Sequence, residues 1–226
     1  MSSIEQRHHD LLADLQATAS RLGRSAPRLL AVSKRQPAAA IAAVHAAGQR
    51  AFGENYVQEA MVKQAELARL DDIEWHLIGH LQTNKAREAA RHFDWVQSVD
   101  RLRLVEALAR ERATGLPPLN LLVQVNVDDE NSKSGCSVDE AGDLCVAIAR
   151  HPNLALRGLM AIPAPHPDFE LRRQAFRRTR ELFDRLQADH PGMDTLSLGM
   201  SEDAGLAIAE GSTMVRIGTA LFGKRD

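Results

Sequence analysis

The chain has 226 residues and a mass of 24.8 kDa, of which 44% are hydrophobic and 26% charged, with a formal net charge of −2. That composition, with no apolar run of membrane-spanning length, excludes a membrane protein and a disordered one, and the length predicts one large domain. The arginines alternate with Asp and Glu instead of forming a basic stripe, so nothing marks a nucleic-acid partner. The N-terminus Met1-Ser2-Ser3-Ile4-Glu5 lacks the apolar stretch of a signal peptide, and Cys136 and Cys145 form no C-x-x-C pair. A reducing, cytoplasmic setting is the expectation.

In chain order, an amphipathic helix is expected over Ile4–Leu22, with Leu11, Leu12, Leu15, Ala19 and Leu22 at helical spacing and Gly23 as its stop. Residues 1–23 would pack as an extra helix on the rest of the domain. After it one theme repeats: a short β-branched or apolar run, a polar loop, then an amphipathic segment. The eight runs are Leu29–Lys34, Ala51–Asn55, Glu74–Gly79, Trp95–Val99, Asn120–Val127, Leu156–Ile162, Thr195–Gly199 and Met214–Gly218. Helices are predicted between them at Pro37–Ala47, Val57–Leu70, Asn84–His92, Asp100–Arg112, Val138–Arg150, Phe169–Ala188 and Ser201–Glu210. Pro37 suits a first helical turn, Ser137 and Ser201 can cap, and Glu140 and Glu202 favour the first turn.

Apolar strands alternating with helices predict a parallel sheet covered outside by helices, and eight units in sequence predict closure. The fold class read here is α/β, a single (β/α)₈ TIM barrel over residues 1–226. Such barrels take roughly 250 residues, about 200 at the lean end, which would leave nothing for a second catalytic domain. An open doubly wound sheet is the competing reading, but the first strand runs into Arg35-Gln36-Pro37 with no G-x-G-x-x-G turn. The stretch Pro163-Ala164-Pro165-His166-Pro167 reads as one rigid loop after the sixth strand.

Chemistry in a barrel collects where strands end. The seventh run ends on Gly199-Met200-Ser201 and the eighth on Arg216-Ile217-Gly218-Thr219. The loops after these two strands are a recurrent phosphate site of the fold: glycine lets backbone approach an anion, and first-turn amides and hydroxyls bind it. Ser201 alone could be a mere helix cap and Gly218 a mere strand end, but both loops in this order point to phosphate. Lys34 ends an apolar strand, where burial would lower its pKa and make it a nucleophile toward an aldehyde; a solvated strand end is the alternative. Of the five lysines, Lys63 in a helix and Lys224 in the tail read as solvated, while Lys85 and Lys133 remain competitors. Arg216 shares a strand face with Gly218. An amine, a phosphate cradle and a buried Arg in one barrel mouth suggest pyridoxal 5′-phosphate (PLP), with the Schiff base on Lys34 and Arg216 at the pyridine nitrogen.

The segments AVSK (Ala31–Lys34), FGENYVQEA (Phe52–Ala60), WHLIGHLQTNK (Trp75–Lys85), NSKSG (Asn131–Gly135), RGLMAI (Arg157–Ile162), LSLGMSED (Leu196–Asp203) and STMVRIGTALFG (Ser212–Gly223) resemble the pyridoxal phosphate homeostasis protein family across nearly the whole chain. The resemblance implies a fold-type III barrel like the N-terminal domain of alanine racemases. By it Lys34 is the PLP-linked lysine, Ser201, Gly218 and Thr219 bind phosphate, Arg216 lies by the ring nitrogen, and Asn55 and Met200 line the ring pocket. It also implies a PLP-binding protein of intracellular vitamin B6 and amino-acid homeostasis, with delivery to apo-PLP enzymes as a further role and no established turnover.

The rival is a PLP-dependent racemase, which needs a second acid/base on the ring face opposite the lysine. The single tyrosine, Tyr56, belongs to the loop after the second strand, and His80 reads as an ordinary loop residue. The carrier is therefore the preferred reading, and a monomer is expected. His76 and His80 do not share a helix face and lack an acidic third ligand, so no zinc site is expected. His8-His9, the acid run Asp128-Asp129-Glu130 and the Arg-rich helix Phe169–Ala188 read as solvated, and the two cysteines as structural or incidental thiols.

Overall fold

A computed structural model of the chain describes residues 3–128, 134–164 and 166–223. Asp129, Glu130, Asn131, Ser132, Lys133, Pro165 and Lys224, all named above, lie outside the described residues. Eight parallel strands close into a barrel in sequence order: β1 (Arg28–Val32), β2 (Ala51–Glu54), β3 (Glu74–Leu77), β4 (Trp95–Val99), β5 (Leu119–Gln124), β6 (Leu154–Met160), β7 (Thr195–Ser197) and β8 (Met214–Ile217). β8 closes on β1 with Leu30 opposite Arg216. The eight predicted runs are the eight strands, but most stop one to three residues earlier than their apolar pattern does. β5 shows the reason: at Val125 the chain leaves the sheet to bridge Cys136, so Val125 and Val127 are buried in a loop instead of a strand.

The helices are α1 (Ile4–Arg21), α2 (Ala38–Ala46), α3 (Val57–Glu66), α4 (Ala86–His92) preceded by a 3₁₀ turn, α5 (Leu102–Glu111), α6 (Ala141–Ala149), α7 (Phe169–Asp189), α8 (Ala204–Ala209) and α9 (Thr219–Phe222). No helix is long and apolar enough to cross a membrane among the described residues. Ser137 and Glu140 form the reciprocal capping box before α6. α9, a single turn that the pattern did not predict, stands where the eighth outer helix would be. α1 packs beside it: Leu15 and Ala19 join Leu29, Ile208, Val215 and Ile217 in one apolar cluster, and the Arg7 guanidinium donates to the Leu221 carbonyl at 2.8 Å. His8, expected in solvent, is buried in this seam. Its Nε2 donates to Gln49, whose amide donates in turn to the Leu29 and Ala51 carbonyls. The helix has a partner, so one side of it is not a solvated face.

The main core lies between the strands and the outer helices, where Phe52, Phe93 and Phe176 are fully buried. Cys136 and Cys145 belong to it as free thiols, and burial pushes both up to about 12, which leaves them unreactive at neutral pH. Inside the barrel, two small apolar groups pack, Leu30, Ala51 and Met214, and Trp95, Leu122 and Met160. Polar side chains touch both. His76 stacks on Trp95 with ring centroids 5.0 Å apart, and Gln97 reaches the Met214 sulfur. At the barrel floor the Glu74 carboxylate accepts from His76 and pairs with Arg28 at 2.8 Å.

Lys63 corrects a second expectation. It lies on α3 at i, i+3, i+6 with Val57 and Ala60, on the face turned to the sheet, and is 6% exposed. Its ammonium donates to the fully buried Glu54 (2.8 Å), to Glu59 (2.6 Å) and to the Ser33 carbonyl (2.8 Å). The Ser33 hydroxyl donates to the same Glu54 oxygen at 2.6 Å. A lysine beside two carboxylates has no reason to stay in solvent. Burial pushes the Glu54 carboxyl up. It also opposes ionisation of Glu59, but Lys63 and the Arg35 amide outweigh it and hold that carboxyl below the usual range.

Removing one partner of a buried ion pair leaves an uncompensated charge, so Lys63→Met is expected to lower stability by about 3–5 kcal/mol in denaturant unfolding; a loss within error would contradict this reading. At the floor, burial opposes ionisation of Glu74, but His76 and Arg28 outweigh it and hold the carboxyl down from 4.5 to about 2. A carboxyl lowered on folding contributes stability above its unfolded value and loses it as pH falls from 4.5 toward about 2. The melting temperature of wild type should drop across that window, and Glu74→Gln should flatten that part of the fall; identical acid profiles would contradict the assignment.

Candidate functional site

A cavity of about 510 Å³ opens at the C-terminal ends of the strands, and Lys34, Asn55, Met200, Ser201, Arg216, Gly218 and Thr219 all line it. Val32, Ile78, Ile162 and Pro163 add an apolar wall. The seven residues singled out from strand ends thus meet in one place, although most lie just beyond the strands. The other described competitor, Lys85, sits in the 3₁₀ turn before α4, away from the cavity wall.

Lys34 is half-buried two residues past β1, and the backbone on both sides of it is fixed. The Ser33 amide donates to the Gly53 carbonyl at 2.9 Å, the Ser33 carbonyl accepts from Lys63, and the Arg35 amide donates to Glu59. Arg35 has φ +60°, a left-handed conformation that costs a non-glycine residue free energy and turns the chain sharply after the lysine. The buried Lys63, Glu54, Glu59 and Ser33 cluster is therefore the support for Lys34.

Asn55 follows β2 on the next corner. Gly79 presses against its backbone: a Cβ on Gly79 would lie 2.1 Å from the Asn55 carbonyl oxygen, so only glycine fits there. The Asn55 side-chain oxygen is buried with no hydrogen-bond partner among the described residues. An unmade buried hydrogen bond costs about 1–3 kcal/mol, which marks this oxygen as a place where a ligand donor would be stabilising.

Arg216 is 4% exposed within β8. Its Nη1 donates to the Ser197 carbonyl (2.6 Å) and hydroxyl (2.8 Å), and its Nη2 to the Ala161 carbonyl (2.9 Å). Guanidinium has five N–H donors, so two make no hydrogen bond among the described residues. Burial pulls it down to about 10, and it stays protonated at neutral pH. No carboxylate is hydrogen-bonded to it among the described residues.

The two late loops differ from expectation in one respect. α8 begins at Ala204, with Asp203 in the cap position, so Ser201 does not cap it. The Met200 amide donates to the Asp203 carboxylate at 2.6 Å, closing a turn before the helix. Ser201 is exposed on that turn, and its hydroxyl has no hydrogen-bond partner among the described residues. Gly199 enters the turn at φ +88°, where a Cβ would come within 2.6 Å of the Ala207 Cβ. Gly218 caps α9, and its carbonyl accepts from the Leu221 and Phe222 amides, while amides of a helix's first turn have no acceptor within the helix.

Sequence reasoning missed Arg172, whose guanidinium lies 4.5 Å over the Phe169 ring and lines the cavity. Helical period alone placed it with the solvated arginines, because nothing in the pattern tells that the first turn of α7 overhangs the barrel mouth. Its neighbours are not simply solvated either: Arg173 and Arg177 clasp Glu210 near α8, and Arg178 pairs with Asp128, which also accepts the Ala164 amide. Tyr56 is 53% exposed, and His80 lies 3.8 Å from the Asp100 carboxylate; neither lines the cavity. Described residues include no cluster of three metal-ligating side chains.

Residues 9–226 match the family model of the alanine racemase N-terminal domain. Pyridoxal phosphate homeostasis proteins of Pseudomonas aeruginosa and Escherichia coli are each 52% identical to this chain, covering all of it and 97% and 98% of their own lengths. The structure of PipY from Synechococcus elongatus with PLP bound is 40% identical, with a TM-score of 0.85 over 98% of this chain and 100% of that one. Alanine racemase from Corynebacterium glutamicum, 19% identical, shares the fold with a TM-score of 0.66 over 96% of this chain and 61% of its own. On this identity and coverage, the chain belongs to the pyridoxal phosphate homeostasis protein family, built on the alanine racemase N-terminal barrel.

Proposed function

We propose that the chain binds PLP in this cavity, holds it as a Schiff base on Lys34, and serves intracellular PLP homeostasis as a single-domain, monomeric carrier that delivers cofactor to apo-PLP enzymes. The observation that carries the reading is the convergence on one cavity of Lys34, of Arg216, hydrogen-bonded to no carboxylate among the described residues, and of the Asn55 oxygen, without a hydrogen-bond partner among them. The PLP-bound PipY structure and the names of the curated relatives support it.

Bound PLP supplies an aldehyde carbon open to amines and an electron-withdrawing ring. The Lys34 amine would hold that carbon through a C=N bond, with the aldehyde oxygen leaving as water. Ser201, Thr219 and the first-turn amides after Gly218 would take the phosphate. One of the two remaining Arg216 donors would meet the ring nitrogen, which then accepts a hydrogen bond and stays unprotonated, a weaker electron sink than a pyridinium. Asn55 and Met200 would flank the ring, and Met200 and Ile162, 43% and 39% exposed, leave the mouth open for release.

A racemase is the second reading, and the cavity wall argues against it. Two-base racemisation needs an acid/base opposite the lysine; the described lining residues include no tyrosine or histidine, and their carboxylates are Glu202 and Asp203 on the turn before α8, Asp203 being held by the Met200 amide. Incubation with single amino-acid enantiomers should leave them unracemised; robust PLP-dependent racemisation would overturn the carrier reading. Borohydride reduction of the PLP-loaded protein followed by peptide mass mapping should place the pyridoxyl group on Lys34. Lys34→Ala should lose the absorption band of the lysine-bound cofactor, and a variant that keeps it would place the site elsewhere.

A further inference from the structure

A line of hydrogen bonds runs through the barrel interior from its floor to the cavity wall. Arg28 pairs with Glu74, Glu74 accepts from His76 Nε2 at 2.5 Å, and Gln97 Nε2 meets His76 Nδ1 at 2.9 Å. The Ser197 hydroxyl reaches Gln97 Oε1 at 2.8 Å and accepts from Arg216 Nη1 at 2.8 Å. These residues come from β1, β3, β4, β7 and β8, and His76, Gln97 and Ser197 are fully buried. Branched apolar residues ordinarily fill a barrel at these levels, and a buried polar line is stable only when every member is satisfied.

Its polarity is fixed from end to end. Arg216 can only donate, so Ser197 Oγ accepts there and gives its one proton to Gln97 Oε1. Gln97 is thereby oriented with its amide nitrogen toward His76, so Nδ1 must accept. The single ring proton then sits on Nε2 and is donated to the Glu74 carboxylate, which Arg28 holds ionised. Burial keeps His76 below its ordinary value, in the neutral form this arrangement requires.

We propose that His76, Gln97 and Ser197 are positioning residues for the cofactor: a relay of one hydrogen-bond polarity, anchored by the Glu74 carboxylate at one end and ending at Arg216, in which the His76 tautomer, the Gln97 amide and the Ser197 hydroxyl together hold the guanidinium plane of Arg216. The proposal rests on PLP occupying the cavity with its ring nitrogen at Arg216, and it adds what holds that arginine. Leu or Met at these positions would fill the same space with none of this direction.

The test compares PLP affinity, the absorption maximum of the bound cofactor and the melting temperature of the ligand-free protein for Gln97→Leu, Ser197→Ala, Arg216→Met and the Gln97→Leu/Arg216→Met double variant. Gln97→Leu lets the Ser197 hydroxyl turn away from the guanidinium, and loss of that hydrogen bond to a charged group predicts PLP binding about tenfold weaker, with the absorption maximum displaced in the direction seen for Arg216→Met. Ser197→Ala, which removes one hydroxyl and keeps the backbone acceptor, should give the same displacement and serves if Gln97→Leu does not fold. In the Arg216→Met background, Gln97→Leu should change neither affinity nor spectrum further, because the relay ends at the guanidinium. Wild-type affinity and spectrum in both Gln97→Leu and Ser197→Ala, beside altered values in Arg216→Met, would overturn the relay and leave the site reading intact. An undiminished Gln97→Leu effect in the Arg216→Met background would also overturn it, since the residue would then act on the core at large. Wild-type affinity and spectrum in Arg216→Met would remove the site reading and the relay together.

Discussion

The structure turns on a charge placed inside a strand. Taking a guanidinium out of water costs several kcal/mol, and Arg216 recovers this through hydrogen bonds to two carbonyls and a hydroxyl, each worth about 1.5–3 kcal/mol to a charged donor, with the charge of Asp203 adding a longer-range attraction. That choice constrains its neighbours. The Ala161 and Ser197 carbonyls must turn inward where β6 and β7 end, and the Ser197 carbonyl also accepts the Ala161 amide. A carboxylate partner would have consumed the fork and neutralised its charge. Neutral hydrogen-bond partners leave two donors unused and no bonded carboxylate to neutralise the charge beside the cavity, with Asp203 acting on it only at longer range.

The same economy of polar groups governs the opposite wall. Lys63 is spent on two carboxylates and a carbonyl, and through Ser33 and Glu59 it fixes the backbone on both sides of Lys34. The left-handed Arg35 is held in this grip. Gly79 then brings Asn55 onto the neighbouring corner by letting backbone meet backbone. The cavity is thus built from two preorganised supports, one of charged groups outside the barrel at β1 and β2 and one inside it at β7 and β8, where neutral acceptors hold the Arg216 guanidinium.

Much of this was legible in the chain because strand–helix alternation and residues at strand ends are local patterns. Lys34, Asn55 and the loops at Gly199 and Gly218 follow short apolar runs, and barrel topology alone brings such positions together. What escaped depends on contacts distant in sequence. Lys63 reads as a solvated helical lysine until β2 places Glu54 behind it. His8 reads as exposed until Gln49 covers it, and Arg172 until α7 overhangs the mouth. Strand ends were overrun because the apolar pattern records burial, and Val125 and Val127 are as buried in a loop as they would be in a sheet. Ser201 stands two residues before the true cap, Asp203, because a serine shortly before a helical pattern signals a cap equally well at either place.

The proposed role of the cavity stands or falls on Arg216 donating to the nitrogen of a lysine-held PLP ring and keeping that nitrogen unprotonated. The direct measurement is NMR of PLP carrying the heavy nitrogen isotope in its ring, bound to the wild-type protein and followed from mildly acidic to mildly alkaline pH. The expected result is the shift of an unprotonated, hydrogen-bonded nitrogen throughout, and a clear change of that shift in Arg216→Met. A pyridinium signal at neutral pH in the wild type, or identical signals from the two proteins, would contradict it.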